Sequence, residues 1–119
     1  MNVNDKVSYV EFAASDIEAT KKFFTTVFGW EFEDYGPDYV AFSNQGVDGG
    51  FYRSDLVSSY GGNGSLVILY TDALEAVQEK VENAGGVITA RIFSFPGGRR
   101  FQFTEPSGNE LAVWSDIGG

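Results

Sequence analysis

The sequence predicts an α+β fold in which two tandem βαβββ modules form a curved eight-stranded mixed sheet. Three observations carry that prediction. Residues 5–53 and 65–116 spell out the same order of elements: strand, helix, strand, strand, strand. The two helices share one spacing, from Asp16 to Gly29 and from Asp72 to Gly85. Between the halves, residues 54–64 are rich in Ser and Gly and carry no apolar period, so they read as a flexible connection.

Each element has its own signal. Residues 7–13 alternate as a strand, with Val7, Tyr9, Glu11 and Ala13 on one face and Ser8, Val10 and Phe12 on the other. A helix follows over 16–28. Ser15 and Glu18 stand at capping-box spacing. Ile17, Thr20, Phe23, Phe24, Val27 and Phe28 recur at helical period as one buried stripe, and Gly29 ends it. Residues 30–34, 39–43 and 49–53 are three short strands, parted by Gly36-Pro37-Asp38 and Asn44-Gln45-Gly46.

In the second module, residues 65–71 form a strand. Asp72, with Glu75 three residues on, caps a helix whose stripe is Leu74, Val77, Val81 and Ala84, and Gly85-Gly86 ends it. Strands follow at 87–92, 99–104 and 110–114, with a loop at 93–98. The last two strands are joined by Glu105-Pro106-Ser107-Gly108-Asn109, where Pro106 presets φ and Gly108 supplies a positive one. In the final strand Glu110, Ala112 and Trp114 share one face, and Leu111, Val113 and Ser115 the other. An acid, a small residue and a large ring make poor core and plausible pocket lining. One module alone leaves a free sheet edge and an open concave face. Pairing two, within a chain or between chains, makes a half-open barrel with its helices outside.

Composition bounds the function. A chain of 119 residues is one domain by size, and 11 Phe in 16% aromatic content give it the means to build a core. The net charge of −9, with Lys and Arg adjacent only at Lys21-Lys22 and Arg99-Arg100, argues against nucleic acid and anionic membrane as partners. No apolar run approaches the roughly 20 residues that span a bilayer. The first residues carry no secretory pattern and the chain has no Cys, so a cytoplasmic setting is expected. In that setting the glycosylation pattern Asn63-Gly64-Ser65 reads as chance. Histidine is absent, which excludes Ser-His-Asp machinery and every metal site that needs an imidazole. The Gly-containing stretches 44–46 and 61–64 lack the Lys and the strand-to-helix order of a phosphate loop.

With these elements in place, the chain resembles the vicinal oxygen chelate superfamily, which includes glyoxalase I, bleomycin-resistance proteins and extradiol dioxygenases. The βαβββ repeat, Asp16-Ile17-Glu18 opening a helix that closes at Val27-Phe28-Gly29-Trp30, and Glu105-Pro106-Ser107-Gly108-Asn109 before the last strand carry the likeness over about residues 5–116. Within that group it is most similar to the glyoxalase-related branch. The resemblance implies a homodimer with a cavity inside the curved sheet. It also implies metal ligands at inward positions of the first and last strands of each module. Matched residue by residue, these fall at Tyr9, Leu66, Ala112 and near residues 49–52, and none is a His or an acid. The expectation is therefore no metal and no cofactor. Glu11 and Glu110, two residues from Tyr9 and Ala112 on the same faces, are the only acids placed to build an oxygen-only site for magnesium or manganese.

Glu11 reads either as a cavity acid or as a solvated strand position, and Glu110 either as a cavity acid or as the edge of its turn. As cavity acids they are the candidate catalytic residues, a general base or an acid/base pair. Tyr9, Leu66, Tyr70, Ala112 and Trp114 are the candidate ligand contacts on inward faces. Phe51, with Tyr60, is placed to close the mouth. Phe101 and Phe103 share one face of strand 99–104, and Arg100 and Gln102 the other; Phe103 is a ligand contact if its face is inward. Arg99-Arg100 reads as a solvated pair or as a contact for an anionic ligand. The expected function is binding of a small apolar or aromatic molecule in the cavity of a homodimer. The alternatives are a metal-independent lyase or isomerase using Glu11 or Glu110, and a non-catalytic interaction domain.

Overall fold

A computed structural model describes residues 4–117 of the chain. The first module is β1 (Tyr9–Ala14), α1 (Ile17–Phe28), β2 (Phe32–Asp34), β3 (Tyr39–Phe42) and β4 (Asp48–Arg53); the second is β5 (Val67–Tyr70), α2 (Leu74–Asn83), β6 (Val87–Phe95), β7 (Gly98–Thr104) and β8 (Glu110–Ser115). Each module makes its own four-stranded mixed sheet, ordered β1-β4-β3-β2 and β5-β8-β7-β6. The expected single eight-stranded sheet is thus two sheets, because no ladder of hydrogen bonds joins β1 or β5 to the other module. In both, the first strand runs parallel to the last, and the other pairings are antiparallel.

The helical stripes land as the period requires. On α1, Ile17, Thr20, Phe23, Phe24 and Val27 are buried, and Gly29 closes the helix in the left-handed conformation at φ 72°. Its start differs from the expected one. The N-cap is Asp16, whose carboxylate accepts from the Ala19 N–H (3.0 Å), and not Ser15. On α2 the cap position is Ala73 with no side-chain bond, so Asp72 does not cap it; instead the Thr71 hydroxyl accepts from the Ala73 N–H (3.1 Å).

The core is aromatic and runs through both modules. Phe24 stacks on Trp30 at 4.6 Å between ring centroids, and Trp30 meets Phe42 at 4.5 Å. Phe51 packs between Phe12 and Phe24. Phe23 and Phe28 of α1 reach Phe103 of β7, which carries the packing into the second module. Truncating Phe24, Phe51 or Phe103, which are fully buried, would cost about 3–5 kcal/mol.

The stretch 93–98 is mostly strand rather than loop. β6 continues to Phe95 and turns through Pro96 and Gly97 into β7. Two irregularities in the β6–β7 ladder, between Ile88 and Ala90 and between Ala90 and Phe93, shift its register. Ile88 and Ile92 pack against the core, and Thr89 and Phe93 lie on the opposite, exposed side of β6.

The turn between β7 and β8 is a latch between modules. Gly108 takes φ 94°, as the turn requires. Glu105 is buried, and its carboxylate accepts from Thr20 Oγ1 of α1 (2.8 Å), the Ser107 N–H and Asn109 Nδ2 (2.7 Å). Asn109 is fully buried: its Nδ2 also donates to the Ala13 carbonyl (2.7 Å), and its Oδ1 accepts from the Ser58 N–H (2.9 Å). One side chain so ties β1, the inter-module connection and the final hairpin together.

Candidate functional site

The side of each sheet away from the helices is open. On β1, Val10 and Phe12 pack into the core, so alternation leaves Tyr9, Glu11 and Ala13 on the open face. Tyr39 joins them from β3. Its hydroxyl donates to Glu11 Oε2 (3.0 Å) and lies 2.6 Å from the Tyr9 hydroxyl. A phenol has one proton, so with Tyr39 donating to Glu11, Tyr9 donates to Tyr39. Burial, reinforced by the bonds to Tyr9 and Glu11, pushes the Tyr39 hydroxyl well above its ordinary pKa. It stays protonated throughout the neutral range. Glu11 itself is exposed.

The reach of Tyr39 depends on the strand between. β4 lies between β1 and β3, and Gly50 is in register with both Glu11 and Ala41. A Cβ on Gly50 would come within 2.3 Å of the Tyr39 hydroxyl, so only a bare backbone lets the phenol cross to Glu11.

The second sheet presents a different surface. Leu111 and Val113 face the core, so Glu110, Ala112 and Trp114 lie on the open side. The neighbouring β7 settles the same way: Phe101 and Phe103 are fully buried, while Arg100 and Gln102 share the face of Trp114 and Ala112, their register partners. Ile68 and Tyr70 of β5 complete those rows. Glu110 is buried and fully engaged. Its Oε2 accepts from Thr89 Oγ1 (2.7 Å) and Gln102 Nε2 (3.0 Å), and its Oε1 from the Tyr60 N–H (2.9 Å). Burial pushes its carboxyl up, but these three bonds together outweigh it and hold the pKa below the ordinary value. Tyr70 meets Trp114 edge to face at 5.2 Å. A cleft of about 550 Å³ opens at the junction of the modules, with Trp30, Phe42 and Val67 among its walls and Ile68 and Tyr70 shared with the second face.

Tyr9, Glu11, Tyr70, Glu110 and Trp114 therefore lie on the sides that alternation assigned them, and Ala112, on the side of Trp114, is fully buried and offers no surface to a ligand. Phe51 and Phe103 do not line a cavity; both are fully buried on the helix side, where alternation puts the partners of Phe12 and Leu111. Leu66 is half-buried and precedes β5, so strand pairing places Ile68, not Leu66, beside Ala112. Glu11 and Glu110 belong to separate hydrogen-bonded clusters, with no side-chain partner in common. Tyr39, Arg100 and Gln102 are the site residues that sequence reasoning missed or left undecided. The adjacent glycines Gly49-Gly50 within a strand were the available signal for Tyr39, since they mark a close approach.

The sequence matches the Glyoxalase/Bleomycin resistance protein/Dioxygenase superfamily over residues 6–113. The chain belongs to that superfamily. No curated protein matches it in sequence. Among solved structures it is similar to a glyoxalase-related enzyme from Fulvimarina pelagi (TM-score 0.79, 16% identity, covering 93% of this chain and 88% of that one). It is likewise similar to a glyoxalase/bleomycin resistance protein/dioxygenase family enzyme from Burkholderia phytofirmans PsJN (TM-score 0.79, 16% identity, 94% and 99%). A third is the lactoylglutathione lyase from Agrobacterium tumefaciens (TM-score 0.71, 17% identity, 99% of both chains). At these identities the likeness establishes the fold.

The positions where this superfamily holds a metal do not fit one here. Leu66 and Ala112 offer no side-chain donor atom, residues 49–52 include no carboxylate, and the Tyr9 hydroxyl is bonded to Tyr39. Among the described residues, no three His, Cys, Asp or Glu side chains group in a way that would hold an ion. No helix among them is long and apolar enough to cross a membrane.

Proposed function

We propose that this protein binds a small aromatic molecule on its concave faces without a metal, and that a second copy of the chain closes those faces. The observation that carries the reading is the open face of the second sheet, where Tyr70 and Trp114 present their rings. Tyr70 is 53% exposed, Ile68 45% and Tyr9 46%, on faces that a barrel of this fold encloses. Rings of this kind stack on planar ligands. The carboxylates of Glu11 and Glu110 are already hydrogen-bonded to Tyr39, Thr89 and Gln102, so the faces offer shape and apolar area more than a free acid or base. A soluble homodimer in the cytoplasm fits the charge and the absence of Cys. The test is mass spectrometry of small molecules released on denaturing the purified protein. A recurrent aromatic compound at near-stoichiometric level is expected. A stoichiometric divalent metal without such a compound would overturn the reading.

A second reading draws on the Tyr9–Tyr39–Glu11 chain, which links an exposed phenol to an exposed carboxylate through the hydroxyl of the half-buried Tyr39. The chain supports a reading as a metal-independent lyase or isomerase with Glu11 as general base. Glu110 serves that role less well, because its three donors lower its basicity. Replacing Glu11 by Gln should then abolish turnover and spare binding; unchanged turnover removes Glu11 from the mechanism.

A further inference from the structure

We infer that Arg100 recognises an anionic group on the ligand, so that the molecule taken by the second concave face is a planar aromatic carboxylate. This rests on the small-molecule reading above and adds its chemical class. One cross-strand row supplies the parts. Phe93 on β6, Arg100 on β7, Trp114 on β8 and Tyr70 on β5 stand side by side. The Arg100 guanidinium carbon sits 5.3 Å from the Phe93 ring centroid, with Trp114 on the adjacent strand.

The two adjacent arginines have opposite fates. Arg99 points to the helix side and pairs with Glu75 of α2. Arg100 has no carboxylate within 4.0 Å among the described residues, whereas the other three arginines, Arg53, Arg91 and Arg99, each have one. Its one hydrogen bond runs from Nη2 to Gln102 Oε1 (3.1 Å). Gln102 in turn donates Nε2 to Glu110 (3.0 Å), which orients the amide with its oxygen toward the arginine. Glu110 spends its charge on Gln102, Thr89 and the Tyr60 N–H, beyond the amide from Arg100.

Arg100 is thus positioned but not neutralised. The Nε of Arg100, like that of Arg99, is buried without a partner, but only Arg99 has a carboxylate on its guanidinium. A half-buried guanidinium over the Phe93 ring has lost hydration and gained no counter-charge. A carboxylate on an incoming ring would supply it through a charge-assisted bond, while the ring itself packs on Trp114. A neutral aromatic would cover the cation and leave it unpaired. The net charge of −9 repels anions in general, so selection for one must come from this local cation.

The experiment is isothermal titration calorimetry of the full chain with naphthalene-2-carboxylate and with its neutral isostere 2-naphthamide, repeated on Arg100→Gln. The carboxylate is expected to bind the native protein about tenfold or more tighter than the amide, and the preference to vanish in the variant. Should the variant fail to fold, the native pair of ligands decides alone. Equal affinity of the two for the native protein, or a preference that survives Arg100→Gln, overturns the role of Arg100 and leaves the small-molecule reading intact. Binding of neither overturns both.

Discussion

The phenol of Tyr39 lies across the bare backbone of Gly50. A Cβ there would stand 2.3 Å from the Tyr39 hydroxyl and 2.8 Å from the Val40 carbonyl oxygen. Gly50→Ala should therefore displace the phenol, break its bond to Glu11 and destabilise the fold by about 1–3 kcal/mol through overpacking. Removing the ring as well, in a Tyr39→Ala background, should restore only part of the loss, because the Val40 carbonyl cannot move aside. Thermal melts of the single and double variants check this. Full restoration would place the strain at Tyr39 alone.

Asn109 is the side chain on which the two modules lock. Asn109→Ala leaves the Ala13 carbonyl and the Ser58 N–H without their side-chain partner and removes a donor from Glu105. Buried groups left unpaired make the loss on the order of 2–3 kcal/mol. Urea denaturation measures it. A change near zero would show that the turn is not a latch.

Glu105 and Glu110 lie on one hairpin and should give opposite pH dependences. Burial pushes the Glu105 carboxyl above its ordinary value, against the bonds from Ser107, Thr20 and Asn109. A proton held more tightly when folded makes its contribution complete below the unfolded carboxylate pKa and lost as pH rises through the folded one. At Glu110 burial also acts upward, but hydrogen bonding wins and the pKa is lowered. Its contribution is present above the unfolded pKa and lost as pH falls through the folded one. The stability gap between native protein and Glu105→Gln should narrow as pH rises from about 3 to about 7, and that for Glu110→Gln should narrow as pH falls. Gaps that change in the same direction would contradict these environments.

Ile68 tests the second copy. It is 45% exposed and stands beside Ala112. Ile68→Lys puts a charge on a face that the dimer would bury, so sedimentation should show a shift from dimer to monomer with the fold kept. An unchanged oligomeric state would place the interface elsewhere.

The order of elements was legible because helical stripes such as Ile17, Phe24 and Val27 and turn residues such as Gly29 and Gly108 act locally. The faces of β1 and β8 followed from alternation, since Phe12 and Leu111 are unmistakable core residues. Alternation alone does not say which side of β4 or β7 is inward; pairing with Phe12 and Leu111 puts Phe51 and Phe103 in the core, away from the mouth and the open face. The β6 bulges carry no compositional mark, so the placement of Thr89 beside Glu110 depends on pairing with a distant strand. The caps were misplaced by one residue each, because Ser15 and Asp16, or Asp72 and Ala73, compete at the same helix start. Glu105 read as a turn residue because its partner Thr20 lies far away in sequence.

Native mass spectrometry of the full chain tests the central claim most directly. The protein is mixed with naphthalene-2-carboxylate, with and without magnesium, manganese and zinc. A dimer carrying the aromatic, with the same occupancy whether or not the ions are present, is the predicted result. A dimer that takes up the aromatic only together with one of those ions would contradict it.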